Sequence, residues 1–182
     1  MPGRFIHRLV VSALLSLALP LTAAEHGHRR HGAHEHGAAA MNMVVEDNRL
    51  HIEFNSPAVN LVGFEHRPRN ENETRAVMQA VAKLMLVDGI FVPDMAAGCK
   101  LSRVNVNTPL LQNKAVRDHD SHADFDGEYV YQCSDISKLN GLDVNLFKTF
   151  PGMTRINVQL LSATGQQAVT LTKQHARITL NR

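Results

Sequence analysis

The chain has no tryptophan and no stripe of basic residues. Nucleic-acid binding draws on clustered Lys and Arg with stacking aromatics, so this composition argues against that class of partner. No apolar run reaches the roughly 20 residues of a membrane-spanning helix, and the protein is not expected to be membrane-embedded. A G-x-S-x-G nucleophile elbow is absent, and neither cysteine sits where a thiolate would be activated. HExxH is also absent, because Glu35 stands between His34 and His36 only as H-E-H. A zinc hydrolase needs three fixed ligands, an open position and a general base. The chain lacks that signature and is expected not to be an enzyme. The acids Asp118, Asp120 and Asp124 lack the twelve-residue spacing and closing Glu of a calcium loop.

The longest apolar run, Leu9 to Leu19, follows a basic start at Arg4, His7 and Arg8 and is broken by Pro20. Small residues Thr22-Ala23-Ala24 follow it. That order predicts a secretory leader over 1–24, cleaved before Glu25. No cysteine follows the junction, which argues against lipidation. Cleavage takes Arg4 and Arg8 but no acid, so the formal charge of +2 falls to neutral. The expected compartment is the periplasm. The remaining residues suffice for one moderate core or two small lobes.

Five of the eleven histidines lie in the stretch that follows: His26, His28, His31, His34 and His36. Imidazole is the commonest side-chain metal ligand, and enrichment among Gly27, Gly32 and Gly37 has no folding rationale. Residues 25–40 therefore read as a flexible metal-binding arm, with Zn²⁺ the natural cargo for nitrogen and oxygen donors. Glu35 is an oxygen candidate, while Arg29 and Arg30 oppose a dense site. The bland alternative is a polar tail whose histidines do little.

A second cluster, Asp118-His119-Asp120-Ser121-His122-Ala123-Asp124, sets an H-x-x-H among three carboxylates. His119 and His122 are candidate ligands. Asp118, Asp120 and Asp124 are candidate ligands or orienting groups. The alternative is an ordinary solvated acidic turn. His66 is either a structural hydrogen-bonder or a ligand near the arm. His51 reads as solvated on the polar face of a strand, and His175 as a surface residue. Met41, Met43 and Met85 read as core.

Cys99 and Cys133 are expected to pair as a disulfide in an oxidising compartment. They would close a hairpin whose midpoint is the second cluster, with about 4 kcal/mol of chain-entropy stabilisation. The other reading is a pair of thiolate metal ligands.

Hydropathy patterning gives the fold class. Met41 to Val45 reads as a strand, and Leu50, Ile52 and Phe54 alternate with His51 and Glu53. Residues 71–88 read as the one long helix, with Asn70 and Glu73 as a capping box, a stripe of Val77, Ala80, Val81, Leu84 and Met85, and Gly89 as the stop. Further strands are expected at 100–106, 128–133, 142–147, 156–161, 169–172 and 178–180, with a hairpin at Thr164-Gly165. The whole is α+β, mostly antiparallel sheet, over 41–182. A strand-turn echo between 41–106 and 125–182 raises the alternative of two related lobes.

Several runs together resemble a known family. They are His31-Gly32-Ala33-His34-Glu35-His36-Gly37 with Met41-Asn42-Met43, Ser56-Pro57-Ala58-Val59-Asn60-Leu61-Val62-Gly63-Phe64-Glu65-His66, and His122-Ala123-Asp124-Phe125 leading into Tyr129-Val130-Tyr131-Gln132-Cys133. Gly165-Gln166-Gln167 belongs with them. The chain resembles the ZrgA-type zinc-regulated periplasmic proteins of Gram-negative bacteria, over nearly all of 25–182. The resemblance implies a periplasmic zinc-binding protein of zinc acquisition, linked to ABC-type uptake. It also implies ligand roles for His31, His34, His36, His119 and His122, with His26 and His28 extending the arm. Copper or nickel binding is the alternative within the class, and a non-catalytic envelope interaction domain the alternative outside it.

Overall fold

The β1 strand, Ala38–Glu46, and β2, Arg49–Pro57, form an antiparallel hairpin closed by a two-residue turn in which Asp47 adopts φ 50°. In this computed structural model residues 35–87, 89–112 and 123–180 are described. They belong to one compact unit, Ala33–Arg182. The alternation read from β2 holds: Leu50, Ile52 and Phe54 are buried, and the residues between them face outward.

After β2 come α1, Val59–Val62, and α2, Glu71–Met85. The Asn70 carboxamide accepts the Glu73 N–H, while the Glu73 carboxylate reaches back to the Arg69 N–H rather than to Asn70. Helix α2 stops before the expected Gly89. Val87 turns into the core and its carbonyl accepts the Ile90 N–H, with Gly89 at φ 98° between them. The Gly89 and Ile90 carbonyls then dock on Asn145. Val77, Ala80 and Leu84 are buried as the stripe predicts, whereas Met85 is exposed, on the outward face with Met78. Met41 and Met43 are core.

The remaining strands are β3 (Phe91–Pro93), β4 (Lys100–Asn107), β5 (Asp124–Gln132), β6 (Gly141–Val144), β7 (Arg155–Ser162), β8 (Gly165–Thr172) and β9 (Arg177–Thr179). Between β6 and β7 lies α3, Leu146–Thr149. Residues 142–147 therefore split into a short strand and a helical turn, because Leu146 and Phe147 are both buried, as no alternating strand allows on one face. Strand β5 starts at Asp124, four residues before the expected position.

The main sheet has the order β4-β5-β2-β1-β7-β8, and the second has β3-β6-β9. Every pairing is antiparallel except β1 with β7. One face of the main sheet packs into the core. Tyr131 Oη donates to the Phe91 carbonyl at 3.1 Å, and Phe91 meets Tyr129 edge to face, which join the two sheets. Arg177 bridges Asp94 and Asp143 and ties the second sheet to the turn after β3. The two segments of the repeat echo fall in different sheets, 50–54 in β2 and 142–144 in β6. Cys99 and Cys133 are disulfide-bonded at the base of the β4–β5 hairpin. Among the described residues no helix is long and apolar enough to cross a membrane.

Candidate metal centre

Strand direction decides where the histidine-bearing segments leave the body. Pro57 pairs with Asp124, Ala40 with Asn55, and Ala38 with Arg155. The start of β1, the end of β2, the start of β5 and the start of β7 therefore lie at one end of the main sheet. Asn107, the end of β4, pairs with Asp126 and lies there too. The disulfide closes the opposite end. The root of the arm and both roots of the acid-lined loop thus share one edge. Strands β1 and β5 flank β2, about 10 Å apart at two strand spacings.

The root of the arm is held in a turn. The Ala38 N–H donates to the Glu35 carbonyl at 3.0 Å, and Gly37 has φ 84°, the left-handed value a type II turn needs at its third position. His36 occupies the second position and is exposed. The Gly37 N–H donates to Asn60 Oδ1 at 2.6 Å, and Asn60 Nδ2 donates to the Ala38 carbonyl at 2.8 Å and to Ser56 Oγ at 3.1 Å. From the other side the Gly37 carbonyl accepts from the Thr154 and Arg155 N–H groups and from Thr154 Oγ1. Arg155 also pairs with the Glu35 carboxylate. Its guanidinium hydrogen-bonds that carboxyl and holds it below the usual carboxylate range. Glu35, an oxygen candidate for zinc, is therefore committed to a cation of the body.

At the neighbouring root the Ala58 N–H donates to the Ala123 carbonyl at 2.7 Å. Asp124 is a buried residue of β5, and Asn55 Nδ2 bridges Asp124 Oδ2 at 3.3 Å and Asp126 Oδ1 at 2.8 Å. The segment Ser56 to Asn60 thus grips both roots.

His66 stacks on Phe64, with Nδ1 2.9 Å from the Arg67 carbonyl and 3.8 Å from Glu73 Oε2. His51 is less solvated than its strand position implies: Nε2 is 3.3 Å from Glu128 Oε1, across the β2–β5 pair. His175 is exposed in a turn with Thr172. His26, His28, His31 and His34 lie outside the described residues, as do Asp118, His119, Asp120 and His122. Among the described residues no three His, Cys, Asp or Glu side chains are grouped to hold a metal ion. With Cys99 and Cys133 joined to each other, no thiolate is available to one.

Sequence pattern missed Asn60, because a side-chain amide that bonds backbone groups leaves no periodic trace. Its one signal was the specificity of the Ser56 to His66 run.

No curated protein matches the chain. A family comparison does: residues 33–180 match the family described as ZrgA family zinc uptake protein, a span that includes the arm root, the Ser56 to His66 run and every strand among the described residues. The chain belongs to the ZrgA family of zinc uptake proteins.

Proposed function

We propose that the protein is a non-catalytic, periplasmic zinc-binding protein that captures or buffers Zn²⁺ and passes it to an ABC-type uptake system. The observation that carries this reading is the shared edge: the arm and the loop, each rich in imidazole, join the body at flanking strand ends bridged by residues 56–60. Zinc prefers four tetrahedral nitrogen, sulfur or oxygen ligands. With the sulfurs joined in a disulfide, imidazoles with carboxylate support are the donor set that remains. His26, His28, His31, His34 and His36 supply it from the arm, and His119 and His122 from the loop. Asp118 and Asp120 are the supporting acids, Asp124 being buried in β5 against Asn55 at the root of the loop, and His66 is a further candidate on the segment after α1.

Zinc is the cargo in this reading. The leader over 1–24 and the disulfide support an oxidising destination.

Calorimetric zinc titration of the exported protein tests the proposal. The wild type should bind at neutral pH, and the variant with all five arm histidines changed to alanine should lose most of that affinity. An unchanged titration in the variant removes the arm from the mechanism, and a wild type that takes up no zinc overturns the reading.

A further inference from the structure

We propose that Asn60 is a positioning residue for zinc capture, fixing His36 as a preorganised ligand at the root of the arm. The inference rests on the zinc-binding reading above and deepens it.

His36 is exposed, yet the backbone on either side of it is held. Glu35 is tied through its side chain to Arg155, and its carbonyl accepts the Ala38 N–H. Gly37 takes hydrogen bonds at both its N–H and its carbonyl. Asn60 is 4% exposed and uses both ends of its carboxamide on this turn: Oδ1 on Gly37, Nδ2 on the Ala38 carbonyl. Ser56 Oγ takes the second Nδ2 proton, which fixes the orientation of the amide. Any side chain at Gly37 is strained, since its φ is 84° and a Cβ would lie 2.6 Å from Thr154 Oγ1.

The β1–β2 ladder begins only at Ala40 with Asn55, so at Gly37 and Ala38 the Asn60 amide stands where a strand partner would and holds the turn that carries His36. Its consequence is an imidazole presented to solvent from a fixed backbone. A ligand held in place before the ion arrives loses less conformational entropy on binding. Groups that orient a metal ligand, without touching the metal, commonly change affinity by ten- to a hundredfold.

The test is a double-mutant cycle on zinc affinity, read by competition with a chromogenic chelator. Asn60→Ala and His36→Ala should each weaken binding by about tenfold, and Asn60→Ala should cost nothing further in the His36→Ala background. Ile178→Val, which loosens the core in β9 far from the turn, should leave affinity unchanged. A purely structural Asn60 gives the contrary pattern, with losses that add or affinity that tracks thermal stability, and overturns the inference. Should Asn60→Ala fail to fold, Arg155→Gln opens the same turn from the surface. It should weaken binding in the same direction and be silent with His36→Ala, and unchanged affinity overturns the inference. A wild type that binds no zinc fails the functional reading itself. A wild type that binds, with Asn60→Ala and His36→Ala equal to it, fails the positioning role alone.

Discussion

The carboxamide of Asn60 sits between the Gly37 N–H, at 2.6 Å, and the Ala38 carbonyl, at 2.8 Å, so a buried side chain of α1 acts as a strand partner for the first residues of β1. This contact joins residues 23 positions apart, at the point where the histidine-rich stretch meets the folded body.

Gly37→Ala should destabilise the protein by about 2 kcal/mol. A left-handed backbone disfavours any Cβ by about 1–2 kcal/mol, and here the new methyl also meets Thr154 Oγ1 at 2.6 Å. Urea unfolding at neutral pH checks this, and an unchanged midpoint contradicts the turn geometry.

Tyr129→Phe should be neutral or stabilising by about 1 kcal/mol. The hydroxyl is fully buried and finds no hydrogen-bond partner among the described residues, and burial pushes its ionisation well above the ordinary tyrosine value. Removing such a group relieves its desolvation cost. Gly127→Ala should act oppositely and cost about 1–3 kcal/mol by overpacking, since its Cβ would lie 2.6 Å from the same hydroxyl. Combined with Tyr129→Phe, the Gly127→Ala penalty should shrink. Equal penalties in both backgrounds, measured by urea unfolding, contradict the contact.

How much of this was legible beforehand depended on the kind of force at work. Half-buried strands announce themselves by alternation, so β2, β7 and the β7–β8 hairpin stood out. Composition alone raised the histidine-rich stretch as a metal-binding arm, and of its five imidazoles only His36 lies among the described residues. Helices α1 and α3 have four residues each, too short for a 3.6-residue period to emerge. The early start of β5 was hidden because Asp124 and Asp126 read as loop, although Phe125 points inward. Parallel pairing of β1 with β7 joins segments more than a hundred residues apart and leaves no local mark. The positions of the arm and loop roots follow from strand direction and order, which residue pattern does not encode.

Replacing both Cys99 and Cys133 with alanine should lower stability by about 4 kcal/mol in the chain-entropy account while leaving zinc binding intact. The disulfide closes the hairpin at the end of the sheet opposite the histidine-bearing roots. Thermal unfolding and zinc titration on the same sample separate the two effects. Loss of zinc binding in a folded double variant contradicts this division.

Asp94→Asn should reveal an acid-sensitive tie. The Arg177 guanidinium lowers the Asp94 carboxyl below its ordinary value against the opposing effect of partial burial, and the Asn140 and Gly141 amides add to the lowering. A carboxyl depressed in the folded state contributes stability above its unfolded pKa, near about 4. That contribution is lost as pH falls through the lower folded value. The variant should therefore be less stable than wild type at pH 7, with the difference shrinking below about pH 4. A difference that ignores pH contradicts the assignment.

Zinc affinity itself should fall on acidification, because protons compete with the ion for imidazole nitrogen. Titration at pH 7.5 and pH 5.5 checks it, and equal affinity at both would point away from histidine.

The most direct test of the central claim is the metal content of untagged protein purified from the periplasm of zinc-limited cells. The account predicts at least one zinc ion per chain, in excess of copper and nickel, and loss of that zinc when the arm histidines are replaced. Protein recovered from that compartment without zinc, or carrying copper or nickel in its place, would contradict it.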